Sequence, residues 1–243
     1  LVGNVADCQK LEELAAGGAV ILGSSSLRYA REIAELMAQP EEERGRVVSA
    51  TGFIGVDEFN YGCHAVEGLA SLTGTGAVSC RFVGRAQAEK VRCETFFVRF
   101  ESGVSAVYHS FLGVWQPFNF VAMTTKTTHV VQVAGGGLYA GMLDRICDFM
   151  ETGAPMPSLP ELTEAVKIML AGRLSRERGG VEVALADLSE DDPGFDGAAF
   201  AEGYAAAASP SLYLEGDYSD AGVEGQTASV LARLSRQSPR RGR

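Results

Sequence analysis

The chain has 243 residues, 46% of them hydrophobic, with a formal net charge of −10. That length and apolar content suit one large domain, or one domain with appendages, around an ample core. The acidic balance, with a pI of about 4.9, disfavours nucleic-acid backbones and anionic membrane surfaces as partners. No apolar run reaches the roughly 18 residues a membrane-spanning helix needs, and no signal peptide opens the chain. Its first residue is Leu rather than Met, just ahead of a helical pattern, so the chain reads as a fragment.

Apolar residues at Cys8, Leu11, Leu14 and Ala15 predict a helix over residues 5–16, stopped by Gly17-Gly18. Ala19-Val20-Ile21-Leu22 is wholly apolar and predicts a strand buried on both faces of a parallel sheet. One αβ unit is not a domain, so that strand is expected to complete a sheet lying elsewhere. Ser24-Ser25-Ser26 caps a second helix over residues 27–38, which ends at Gln39-Pro40; residues 41–46 read as a charged surface turn. From Val47 the period becomes that of strands: 47–55, 77–84, 90–101, 104–112 and 120–134 are rich in β-branched and aromatic residues. Glu101-Ser102-Gly103 is a tight hairpin turn, and consecutive strands joined by turns predict a large, mostly antiparallel sheet. Gly135-Gly136-Gly137 lacks a phosphate-loop pattern and reads as a hinge. Helices over 139–152 and 160–178 and a short strand over 181–185 follow. Beyond, residues 187–224 carry many acids and no Lys or Arg, and Arg233, Arg236, Arg240, Arg241 and Arg243 make the end basic. This tail reads as loosely ordered or draped on the main domain.

The stretch around which the rest is organised is Phe59-Asn60-Tyr61-Gly62-Cys63-His64-Ala65-Val66-Glu67-Gly68-Leu69. It follows a β-like run and opens an amphipathic segment ending at Gly74, which places His64 in the first turn of a helix packed on the sheet. The positive end of the helix dipole is expected to keep that imidazole near neutral, able to exchange a proton with a bound hydroxyl. Arg28 follows the apolar run 19–22, where ligands gather at the carboxyl ends of sheet strands; a structural ion pair is its alternative. Asn60 is read as a substrate contact or a helix cap, and Glu67 as a site acid or a solvated helix residue. Trp115, in a loop between strands, offers a floor for a sugar-like ligand, with core or interface packing as its alternative. His109 and His129 read as sheet-face residues. The five cysteines (Cys8, Cys63, Cys80, Cys93, Cys147) form no CxxC pair and read as reduced core residues of a cytoplasmic protein. No His, Cys, Asp or Glu combination has metal-ligand spacing, so no metal site is expected.

Taken in order, the αβ end-piece, Ser24-Ser25-Ser26-Leu27-Arg28-Tyr29, a strand, Tyr61-Gly62-Cys63-His64-Ala65-Val66-Glu67, antiparallel strands, and Glu164-Ala165, Ser175 and Gly179-Gly180-Val181-Glu182-Val183 resemble the glucose–fructose oxidoreductase / inositol dehydrogenase / MocA-like family. The resemblance covers roughly residues 5–185. It implies an N-terminal Rossmann domain that binds NAD or NADP, followed by an α/β (α+β) domain whose large open sheet lines the substrate site and mediates oligomerisation. On that reading residues 1–27 are the last αβ unit of the Rossmann domain, 28–185 the substrate and oligomerisation domain, and 186–243 an acidic Ala/Gly-rich tail with an Arg-rich end. The glycine loop and the Glu-Lys-Pro segment with its catalytic lysine would lie before Leu1, so no dinucleotide is expected on this chain alone. His64 matches the family's catalytic histidine, whereas Asn60 stands where the family often has Asp. Two readings follow: the C-terminal portion of an NAD(P)-dependent oxidoreductase acting on a sugar, polyol or related hydroxy compound, or a non-catalytic dimerisation or ligand-binding module. Both expect a homo-oligomer through the open sheet face.

Overall fold

A computed structural model describes residues 2–55, 58–112, 114–153 and 156–207, with side chains described through 202. Its framework is one seven-stranded sheet: β1 (Val47–Ile54), β2 (Ala77–Ala88), β3 (Val91–Phe100), β4 (Ser105–Leu112), β5 (Asn119–Thr124), β6 (Thr128–Gln132) and β7 (Val183–Ala184). The order across the sheet is β6-β5-β1-β4-β3-β2-β7. Only β1 and β4 run parallel; every other neighbouring pair is antiparallel. A hairpin needs only a tight turn, whereas the parallel pair requires a crossover. Here that crossover is α4 (Gly62–Thr73) followed by β2 and β3.

The helices are α1 (Val5–Ala16), α2 (Arg31–Ala38), a single turn α3 (Glu41–Arg44), α4, α5 (Leu138–Thr152), α6 (Leu159–Glu177) and α7 (Gly197–Ala207). Of these, α4 lies on β1 and α6 on β2, and the two touch each other. They cover one sheet face, where alternate residues Ala50 and Ile54, Phe96 and Val98, Ala106 and Tyr108, and Phe120 and Ala122 are buried. Strand periodicity of two puts every second side chain on that face. Glycines set the helix-to-sheet spacing. A Cβ at Gly68 of α4 would sit 2.3 Å from the Phe120 ring, and one at Gly172 of α6 would sit 2.7 Å from the Tyr108 hydroxyl. The opposite face carries Thr51, Phe53, Val107, His109, Thr95, Phe97 and Val121. Register places Val121, Thr51, Val107 and Phe97 in one row across four strands.

The predicted helix over 5–16 forms as α1, and its predicted stop is a Schellman closure. Gly18 takes φ +94°, Ala19 N donates to Leu14 O at 3.0 Å, and Gly18 N donates to Ala15 O at 3.0 Å. Residues 19–22, expected as a strand, are in neither strand nor helix here. Val20 is 71% exposed, and the run pairs with none of the strands among the described residues. The expected helix over 27–38 is broken at Ala30, between a 3₁₀ turn (Ser26–Tyr29) and α2. The expected surface turn at 41–46 contains α3, whose Arg44 is buried with its Nη1 on the Gly45 carbonyl. The single strand expected over 120–134 folds back on itself at residues 125–127 as β5 and β6, since Thr124 Oγ1 accepts from the backbone of both Lys126 and Thr127.

The tail splits. Residues 195–200 lie over the loop before α4, where Phe59 stacks on Phe195 at 5.0 Å and meets Phe200 edge-on at 5.4 Å. The Arg-rich end lies outside the described residues. All five cysteines are free, with Cys8 and Cys80 buried and the others half-buried.

Candidate active site

The site is built where the C-terminal end of β1 hands over to α4. The loop at 114–116 crosses directly above Gly55, so closely that a Cβ there would lie 2.4 Å from Gln116 N. That crossing brings Trp115 beside the α4 entry. Its ring meets Tyr61 edge-on at 6.0 Å and Phe118 edge-on at 5.4 Å, and Tyr61 in turn meets His64 edge-on at 5.7 Å. Trp115 remains 47% exposed, so it is not a core residue. Tyr61 occupies the cap position of α4 without a side-chain cap bond, and His64 N closes the first turn onto Tyr61 O at 3.0 Å. Asn60 lies in the same turn, where its carbonyl accepts from the Cys63 thiol at 2.9 Å.

On the other side of α4 runs the triple-serine segment. Ser25 Oγ lies 2.7 Å from His64 Nδ1 and accepts from Leu27 N at 3.1 Å. Ser24 Oγ donates to Glu67 Oε2 at 2.9 Å, and Arg28 Nε donates to the same oxygen at 2.5 Å. The Arg28 and Glu67 side chains are only 9% and 8% exposed. Glu67 is therefore neither solvated nor free: it is the buried counter-ion of Arg28. Adjacent side chains on extended backbone point to opposite sides. Ser24 escapes that rule because its φ is +140°, a strained value for a serine, and both hydroxyls thus reach α4 one turn apart.

The electrostatics follow from burial. It pushes the His64 imidazole below its ordinary pKa, by desolvation. Burial also raises the Glu67 carboxyl, a rise that Arg28 and Ser24 only partly offset. The structure thus brings His64, Tyr61 and Trp115 together on one side of the α4 entry and joins Arg28 to Glu67 on the other, with the serines linking the halves. His109 and His129 are elsewhere: His109 stacks on Phe53 at 5.1 Å and meets Thr95 Oγ1 at 3.0 Å, while His129 Nε2 meets the Arg44 carbonyl at 3.0 Å.

Sequence reasoning missed a second buried charge cluster beside the site. Arg176 Nη1 bridges Glu58 and Glu94, the latter at 2.6 Å, and Arg85 also pairs with Glu94 at 2.6 Å. Burial raises the Glu58 carboxyl; for Glu94 burial acts the same way, but Arg176 and Arg85 reverse it and lower the pKa. Its only sequence signal was Glu94 at an inward position of a strand, which alternation alone marks as buried.

The fold is one that solved dehydrogenase structures share. Over 76% of its length the chain superposes on 69% of GenD2 from gentamicin A biosynthesis in complex with NAD, with a TM-score of 0.62 and 15% identity. It covers 67% of the myo-inositol dehydrogenase from Lactobacillus casei in complex with NAD(H) and myo-inositol, using 74% of this chain at a TM-score of 0.58 and 9% identity. A dehydrogenase from Chromobacterium violaceum matches 72% of this chain and 68% of its own, at a TM-score of 0.57 and 12% identity. At these identities the likeness is one of fold. No protein-family model matches the chain, and no curated protein sequence matches it.

Proposed function

We propose that this chain is the substrate-binding and oligomerisation part of an NAD(P)-dependent oxidoreductase of the glucose–fructose oxidoreductase / inositol dehydrogenase / MocA-like family, acting on a sugar, polyol or related hydroxy compound. The observation that carries it is His64: a half-buried imidazole, its pKa lowered by desolvation, at the first turn of α4 beyond the end of β1, flanked by half-exposed Trp115 through Tyr61. On this reading His64 meets the reacting oxygen, Trp115 supplies an apolar floor for the carbon skeleton, and Asn60 offers hydrogen bonds to a neighbouring hydroxyl. Arg28 and Glu67, being paired with each other, hold α4 against the serine segment and so contribute to the site as its frame. NAD or NADP, when bound, supplies the hydride acceptor or donor.

Residues 1–27 are assigned to the edge of the nucleotide-binding domain and 28–185 to the substrate domain. Exposed Leu14, Val20 and Leu22 support that division, since an apolar run of this kind suits pairing with a sheet that these residues do not themselves contain. The glycine turn and helix N-terminus that hold a pyrophosphate are absent from this sequence, so the chain by itself is expected to bind neither NADH nor NADPH. The row of Val121, Thr51, Val107 and Phe97 on the sheet face opposite α4 and α6 supports a second copy as its cover.

The test is polyol- and sugar-dependent reduction of NAD⁺ or NADP⁺ by the protein carrying both domains. His64→Ala is expected to cost about 10²–10⁴ in turnover. Undiminished turnover would overturn the assignment of His64, and micromolar NADH binding to the chain of 243 residues would overturn the division into domains.

A further inference from the structure

We propose that Ser25 is a positioning residue that fixes the tautomer of His64: its hydroxyl donates to Nδ1, so that the neutral imidazole carries its proton on Nε2. Three observations converge on this. First, the Ser25 oxygen already accepts from Leu27 N at 3.1 Å. A hydroxyl has one proton to give, and among the described residues the remaining partner of the Ser25 hydroxyl is His64 Nδ1. Second, Ser25 is 5% exposed, so water does not stand in as an acceptor, and a buried hydroxyl left without one is disfavoured. Third, the 2.7 Å separation is a full hydrogen bond, so one of the two groups supplies its proton.

The arrangement is imposed by the backbone rather than by chance rotamers. Ser24 holds φ +140° and is pinned by its bond to Glu67, itself held by Arg28. That conformation turns Ser25 toward α4. The groups facing His64 are then Ser25 from the serine segment, Tyr61 from the α4 entry and Glu67 one turn along α4, with Glu67 neutralised by Arg28. Among the described residues no charged side chain is hydrogen-bonded to Nδ1.

The consequence deepens the proposed function and rests on it. A resting His64 of this tautomer presents an N–H from Nε2 to the substrate oxygen and cannot take a second proton there. It therefore binds and polarises that oxygen as a donor.

The decisive measurement needs no turnover: long-range ¹H–¹⁵N correlation of the imidazoles in this chain, at a pH where His64 is neutral. An Nε2 of protonated type and an Nδ1 of hydrogen-bonded acceptor type are expected. A protonated Nδ1 would overturn the proposal, whatever His64→Ala does to turnover, so the two readings fail separately. In Ser25→Ala the loss of a donor to the neutral ring is expected to raise the His64 titration midpoint by about half to one unit. Ser25→Thr, which keeps the hydroxyl, is expected to restore it. An unchanged or lowered midpoint in folded Ser25→Ala would also overturn the assignment, and should that variant not fold, the wild-type tautomer alone decides.

Discussion

Glu67→Ala is the substitution from which the structure yields the sharpest expectation. It deletes the carboxylate that neutralises Arg28 while leaving the guanidinium in a site where its side chain is 9% exposed. Arg28 Nη2 is already buried without a hydrogen-bond partner, so the stranded cation has little to fall back on. Breaking a buried pair by removing one member costs about 3–5 kcal/mol, because an uncompensated charge is left behind. Replacing both members with apolar residues of similar volume removes the charge problem altogether and is often neutral or stabilising. Arg28→Met/Glu67→Leu is therefore expected to lie within about 1 kcal/mol of wild type, recovering most of what Glu67→Ala loses. The pair also has a pH signature. Because burial raises the folded-state pKa of Glu67, its contribution is fully present below the ordinary carboxylate value of about 4.3 and is lost as pH rises through the folded pKa. Wild type should thus gain on Glu67→Gln as the pH falls through that window. Urea denaturation of the four proteins at neutral pH, repeated at acidic pH, measures all of this. A loss below about 1 kcal/mol in Glu67→Ala would show that the pair behaves as an exposed one and would refute the reasoning.

Four shorter expectations follow from other parts of the molecule. In Gly68→Ala the new methyl meets the fully buried Phe120 ring at 2.3 Å; overpacking of about 3 kcal/mol against a helix-propensity gain of about 1 leaves a net loss of about 2 kcal/mol in urea denaturation. Phe120→Leu in the same chain should recover part of it. Burial lowers the pKa of both His64 and His109, so their contribution is full above the unfolded-state value of about 6.5 and is lost as pH falls toward the folded values; His64→Gln/His109→Gln should flatten the stability curve between pH 7 and 5. Trp115 is the sole tryptophan, and binding of a polyol at the proposed floor should change its fluorescence, a change that Asn60→Ala should weaken; a wild-type emission unaffected by saturating polyol would count against Trp115 as the floor. Val107→Glu places a charge at the centre of the open face and should convert a sedimenting dimer to monomer without unfolding it; a wild-type monomer at micromolar concentration would count against a covered face.

What the sequence settled by itself was local. The spacing of Cys8, Leu11, Leu14 and Ala15, the glycine pair after them, the alternation along the strands and the His64 turn each depend on contacts within a few residues, and each formed where periodicity put it. The break at Ala30 and the fold-back of β5 onto β6 were missed because short backbone and hydroxyl contacts overrode an otherwise continuous pattern. Tertiary structure alone decided the rest. Only the parallel pairing of β1 with β4 fixes where α4 begins relative to the sheet. Only packing across 39 residues of sequence sets Ser25 against His64 and Arg28 against Glu67. A serine segment and a helix face carry no mark of their mutual register, and a charged residue looks solvated until the fold removes its water. For the same reason the chemistry of His64 was visible in outline as a residue type at a helix start. Its neutral state and the orientation of its ring arise from burial and from a partner that no local pattern names.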